Sequence, residues 1–183
     1  MKVIGICASP RKGNTEQMVS WVLSACAASG AKVELVNLRE IDMKQCKGCN
    51  HCYGTGKPCI IDDDIFSLFD KIENADAVIF GTPNYFTNVS GLMKCFIDRN
   101  NSICNPSQLK GKLAAVVCVG AQPVKNSQAV DDVMKYYIKM MKMVHVGSVV
   151  ASAEQPKDIS TQKKVKDACA DLGKKLMKKI GSK

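Results

Sequence analysis

Four cysteines lie within one short stretch, Cys46-Lys47-Gly48-Cys49-Asn50-His51-Cys52 and then Cys59, separated by two, two and six residues. Three thiols so spaced can turn inward on one loop. Gly48 gives the backbone room to curl, and Gly54-Thr55-Gly56 lets the fourth thiol close a cage. This is the arrangement that wraps a cubic 4Fe–4S cluster, in which each iron takes one thiolate. A zinc site more commonly sets two Cys-x-x-Cys pairs well apart. Free redox-active or disulfide-forming thiols are a third reading. The equal, short spacing of three thiols favours the cluster, with Cys46, Cys49, Cys52 and Cys59 as its metal ligands. His51 reads as a solvent-facing spacer in that loop, and His145 as a structural residue.

The chain has 183 residues, which suits one domain spanning 1–183 with the cysteine-rich loop at about 44–61. An apolar fraction of 46% and a charged fraction of 23% are ordinary for a soluble globular protein. Met1-Lys2 runs into a short apolar stretch with no long apolar region and no cleavage site, and no apolar run approaches bilayer length. The thiols are therefore expected in reducing cytoplasm, where a dense cluster reads as metal binding or redox chemistry. Cys7, Cys26, Cys95, Cys118 and Cys169 lie in apolar patterns and read as small core hydrophobes.

The net charge of +9 raises nucleic acid as a partner. Much of the excess sits in lysines between 157 and 183, where Val165, Cys169, Leu172, Leu176 and Ile180 recur at helical spacing. No aromatic residues are interleaved there to stack bases. A solvated basic helix face is the expectation, with no nucleic acid and no membrane bound. A secondary role in attracting an anionic cofactor or an acidic redox partner stays open.

The elements that must position these groups alternate strand and helix. Strands are expected over 2–8, 32–37, 77–81, 112–119 and 144–151, and helices over 15–29, about 62–74, 89–99, 127–143 and 160–180. The acidic run Asp62-Asp63-Asp64 suits the positive end of the second helix. Such alternation implies an α/β fold in three layers, a doubly wound five-stranded parallel sheet. Ligands then bind at the carboxyl ends of the strands.

Three loops leave such ends. The first, 9–15, offers hydroxyls, an amide, a glycine and backbone N–H groups at a helix start; it suits a phosphate dianion or is an ordinary capped turn. The second, 81–88, sets Tyr85 and Phe86 beside amides; these rings hold a flat ligand or anchor the core. The third begins at Gly120, whose missing side chain would let a ring approach the backbone.

Together, Gly5-Ile6-Cys7-Ala8-Ser9-Pro10-Arg11-Lys12-Gly13-Asn14-Thr15 and Gly81-Thr82-Pro83-Asn84-Tyr85-Phe86 resemble the flavodoxin-like fold and, more narrowly, the NADPH-dependent FMN reductase family. With the cysteine loop between them, the chain is similar to the iron–sulfur flavoproteins of anaerobic archaea and bacteria over about residues 1–150. The resemblance implies FMN, with Ser9, Arg11, Asn14 and Thr15 at its phosphate. It implies Pro83, Asn84, Tyr85 and Phe86 near the isoalloxazine, and more weakly Gly120. It also implies a homodimer or homotetramer with the flavin near a subunit interface.

The expected function is FMN-dependent electron transfer between a reduced donor, ferredoxin or NAD(P)H, and a small-molecule acceptor through the cluster. No side chain need act as an acid or base. The alternative is a cluster-free NAD(P)H:FMN or quinone reductase. A non-enzymatic flavodoxin-like shuttle or zinc adaptor is a further reading; the basic charge argues against the shuttle.

Overall fold

In the computed structural model, which describes residues 1–104, 107–155 and 158–182, successive strand residues face opposite helical layers. Lys157 and Lys183 of the basic segment lie outside the described residues. The strands are β1 (Lys2–Cys7), β2 (Lys32–Asn37), β3 (Ala77–Pro83), β4 (Leu113–Gly120) and β5 (Val144–Ser152). The helices are α1 (Asn14–Ala28), α2 (Ile65–Glu73), α3 (Gly91–Arg99), α4 (Val124–Met140) and α5 (Lys163–Gly181). All five strands pair in parallel in the order β2-β1-β3-β4-β5.

Ile4, Ile6, Val78, Phe80, Ala114 and Val116 pack with Leu68, Phe69, Phe96 and Met134 of α2, α3 and α4. Val3, Ala77, Ile79, Leu113, Ala115 and Val117 pack with Met18 and Val22 of α1 and Cys169 and Leu176 of α5. The result is the expected three-layer, doubly wound α/β fold. β3 and β4 are buried along their whole length because both faces are covered, whereas the edge strands β2 and β5 are mostly half-exposed. Of the methionines of the α4 region, Met134 and Met141 fill core space as expected, whereas Met140 is exposed. No helix among the described residues is long and apolar enough to cross a membrane.

Two local expectations change. The acidic run 62–64 precedes α2 and is not in its first turn; Asp64 occupies the N-cap position without a side-chain capping bond. Asp64 instead accepts the Asp42 N–H (3.1 Å), and Asp63 pairs with Arg99. Tertiary partners are added to the helix-end role, because Asp63 Oδ1 also accepts the Ile65 N–H (3.3 Å) in the first turn of α2. Cys95, expected in the core, is only half-buried; its thiol donates to Lys44 O (3.5 Å) beside the cysteine loop. Cys7, Cys26, Cys118 and Cys169 are buried as expected.

The seat of α1 is set by Gly81. A Cβ there would stand 2.3 Å from Val19 Cγ2 and 3.2 Å from Thr15 Cγ2, so only glycine lets α1 settle onto β3. Gly81→Ala is expected to destabilise the fold by about 1–3 kcal/mol through overpacking. A lowered urea midpoint, largely recovered in the Gly81→Ala/Val19→Ala double variant, is the measurement that checks it.

Candidate functional site

The strand order turns back between β1 and β3, and at their carboxyl ends opens a cleft of about 240 Å³. It is lined by Ser9, Arg11, Asn14 and Thr15 from the first loop, Pro83, Asn84 and Tyr85 from the second, and Gly120 from the third. Eight of the nine residues singled out for a cofactor thus meet at one place. The ninth, Phe86, lies outside the cleft.

The first loop is held from below. Ala8 N–H donates to Gly81 O (2.8 Å), and the buried Ser90 hydroxyl donates to Ala8 O (2.6 Å) while accepting the Met93 N–H (3.1 Å) at the start of α3. Ser9 Oγ folds back to donate to Arg11 O (2.7 Å). The helix start that follows is not an ordinary capped turn. Gly13 stands at the N-cap and no side chain caps the first turn of α1, so its N–H groups are left for an anion. Glu16 in that turn pairs with Arg39 (2.8 Å), which neutralises the one acidic group there. Asn14 is buried and braces the neighbouring loop: its Nδ2 donates to Gln155 O (2.8 Å) and its Oδ1 accepts the Ile159 N–H (3.3 Å).

The second loop closes on itself. Tyr85 N–H donates to Asn88 O (2.9 Å) and Asn88 N–H to Tyr85 O (3.0 Å). Phe86 and Thr87 between them take φ of +50° and +60°, a left-handed pair without glycine. Phe86 is 103% exposed at the tip, so it is no core anchor. Asn84 Nδ2 donates to Ser127 Oγ (2.9 Å), which fixes the amide plane. Its Oδ1 is buried with no partner among the described residues. A buried carbonyl oxygen without a donor is costly and marks a place for a ligand N–H. Gly120 lies against this amide: a Cβ there would stand 2.8 Å from Asn84 Cβ. An uncapped helix start, an orphaned acceptor and a glycine floor fit FMN, whose phosphate needs N–H donors and whose ring edge carries an N–H.

Sequence reasoning missed Ser127, the brace of Asn84, and the contribution of Ala153 and Glu154 beyond β5. No pattern in the chain marks them; only the register of β5 against β4 brings 153 and 154 to the rim.

The cysteine loop lies between β2 and α2 and has little regular structure. Gly48, Asn50, Gly54 and Gly56 all take positive φ, as a tightly curled chain requires. Cys46, Cys52 and Cys59 are half-buried and Cys49 is exposed. Burial pushes the Cys52 thiol up, and the neighbouring Cys59 and Cys46 thiols add to it. Among the described residues, no three His, Cys, Asp or Glu side chains converge as ready metal ligands. The donor chemistry nevertheless fits a thiophilic group: four thiols on one loop, next to a buried Arg99 whose Nε has no acceptor. His51 is exposed, as a spacer would be; His145 is also exposed, with Nε2 2.9 Å from Ser148 Oγ.

The loop's ends are tied together. Asp63 and Arg99, with side chains 0% and 1% exposed, form a two-pronged ion pair. Arg99 also donates to Lys44 O (2.8 Å), and Asp63 accepts the Lys44 N–H (2.8 Å) and Ile65 N–H (3.3 Å). Burial alone would raise the Asp63 carboxyl, but these hydrogen bonds outweigh it and hold it below the usual range.

A sequence profile of NADPH-dependent FMN reductases matches residues 1–157. An iron–sulfur flavoprotein of Methanocaldococcus jannaschii is 36% identical over 148 residues, which cover 80% of this chain and 76% of that protein. An iron–sulfur flavoprotein of Archaeoglobus fulgidus is 34% identical over 184 residues, covering 100% of this chain and 82% of that one. An archaeal flavodoxin of known structure superposes with a TM-score of 0.68 at 16% identity, over 99% of both chains, and shares the fold.

Thiol alkylation separates the two cysteine populations. Burial raises Cys7 and Cys26 to about 11, and Cys118 and Cys169 to about 12. Near pH 8 the folded, iron-free protein is expected to alkylate first at Cys49, while these four stay unmodified until it unfolds. Peptide mass mapping with and without denaturant checks the order.

Proposed function

The chain belongs to the NADPH-dependent FMN reductase family, and on that footing we propose that it passes electrons between a reduced donor and a small acceptor through FMN and a 4Fe–4S cluster. It is an FMN-dependent oxidoreductase. The observation that carries the flavin half is the uncapped start of α1 facing the orphaned Asn84 Oδ1 across one cleft. The cluster half is supported by the four-thiol loop and by relatives that are named iron–sulfur flavoproteins.

FMN, when bound, exchanges one or two electrons and a 4Fe–4S cluster one at a time, which lets a two-electron and a one-electron partner be coupled. The chain's own residues then bind and orient. The first-turn N–H groups of α1, with Arg11 and Thr15 beside them, hold the phosphate. Asn84, fixed by Ser127, accepts the ring N–H, and Gly120 admits the ring to the backbone. Cys46, Cys49, Cys52 and Cys59 would hold the cluster through their thiolates. No side chain is assigned to proton transfer.

Ferredoxin or NAD(P)H is the proposed donor, and the basic face of α5 suits an acidic protein partner. The reading includes a cytoplasmic homodimer or homotetramer. The exposed Tyr85 and Phe86 at the cleft's edge, and Tyr53 and Ile60 on the cysteine loop, support it. A second reading, a cluster-free NAD(P)H:FMN or quinone reductase, is favoured by one observation: the thiols do not converge among the described residues.

Anaerobic reconstitution with iron and sulfide decides between them. The cluster reading expects broad absorption beneath the flavin bands, with iron and sulfide on analysis. Flavin bands alone support the second reading. Cys49→Ala is expected to lose iron and keep flavin; unchanged iron content removes that thiol from the ligand set. Asn84→Ala is expected to weaken FMN binding about tenfold, roughly 1.4 kcal/mol, measured by flavin fluorescence quenching.

A further inference from the structure

We propose that Arg99 is a positioning residue for the metal centre, clasping the two ends of the cysteine loop and presenting one N–H edge to Cys59 and the group it binds. The inference rests on the cluster reading above. It arises from a full account of one buried cation. Arg99 ends α3 with its side chain 1% exposed. Its Nη1 donates to Asp63 Oδ2 and to Lys44 O (2.8 Å), and its Nη2 donates to Asp63 Oδ1 (3.0 Å) and to Cys59 Sγ (3.9 Å). Only Nε has no acceptor among the described residues.

The guanidinium is planar, with its donors in a fixed fork. Asp63 takes the end-on pair, Nη1 and Nη2. The remaining Nη2 hydrogen and the Nε hydrogen therefore leave along the same edge, and Cys59 Sγ lies on that edge. A buried N–H is normally satisfied. The orphan at this position leaves room for a second acceptor beside Cys59, which a sulfide of a bound cluster would supply. Lys44 and Asp63, two and four residues outside the outermost thiols, meet on the same guanidinium. The protein's own side chains thus close the base of the loop.

A cation and N–H donors beside cluster sulfurs stabilise the reduced, more negative state, so they raise its potential. A purely structural clasp would leave the potential where it is.

The test uses the full chain, FMN-loaded and reconstituted anaerobically. An Arg99→Gln/Asp63→Asn double variant removes both charges together, so neither is left alone in the interior; Arg99→Lys keeps a charge but only a point donor. For the double variant, the expected results are retained FMN and faster hydrogen exchange confined to 44–63. With the two opposite charges removed together, what remains is the loss of the N–H edge, and the variant's cluster midpoint is expected to fall. Arg99→Lys is expected to fall between it and the wild type. Iron content and midpoint equal to wild type in the double variant overturn the role of Arg99 alone. A double variant that does not fold transfers the decision to Arg99→Lys, where an unchanged midpoint overturns the proposal. Wild-type protein that takes up no iron overturns the underlying reading, and the tuning role with it.

Discussion

The close seating of α1 on the sheet is the constraint on which the rest depends. Its first turn must reach the carboxyl ends of β1 and β3 to bring free N–H groups to a ligand. A side chain at Gly81 would strike Val19 and Thr15 and lift the helix off β3. The central strands are covered on both faces, so a ligand meets the sheet at the rim where the strand order turns back. Fold and cofactor site are therefore products of one packing arrangement. The core holds the helix, and the helix start supplies the donors.

The cysteine loop obeys a different physics. It buries few apolar side chains and has almost no regular hydrogen bonding, so nothing in its own backbone fixes its path. Its two ends are fixed instead by the Asp63–Arg99 pair, which sits in the interior. Losing one member of such a buried pair typically costs about 3–5 kcal/mol, because the other is left as a lone charge. Between those ends the Cys52 thiol is pushed up by burial first and then by the nearby Cys59 and Cys46. Thiolates gathered at one point repel until a cation lies among them.

The alternating pattern of strands and helices was legible because each strand is covered on both faces and each helix on one, which writes itself into hydrophobic spacing. The loops 9–15 and 81–88 were legible as ligand-binding segments because they follow strands of that pattern. Phe86 and Asp63 were not. An aromatic beside a proline and an amide looks like a ring-holder, yet the left-handed turn throws it into solvent. An acidic run before a helix looks like a dipole partner, yet a buried arginine 36 residues away recruits one of its members. Cys95 was misjudged for the same reason: helical spacing places it on the inward side of α3, but what lies there is the loop, not core.

Local rules act through neighbours in the chain, so the sequence by itself determined the element types, the parallel three-layer architecture, the four-thiol loop and the residues that rim the cleft. What only the tertiary structure decided involves partners remote in sequence. Ser127 orients Asn84, Gln155 and Ile159 take up Asn14, the ends of β4 and β5 complete the rim, and Arg99 closes the cysteine loop. Such contacts are set by how layers and loops come together in space, and a single chain carries no local signal of which distant polar group will satisfy which.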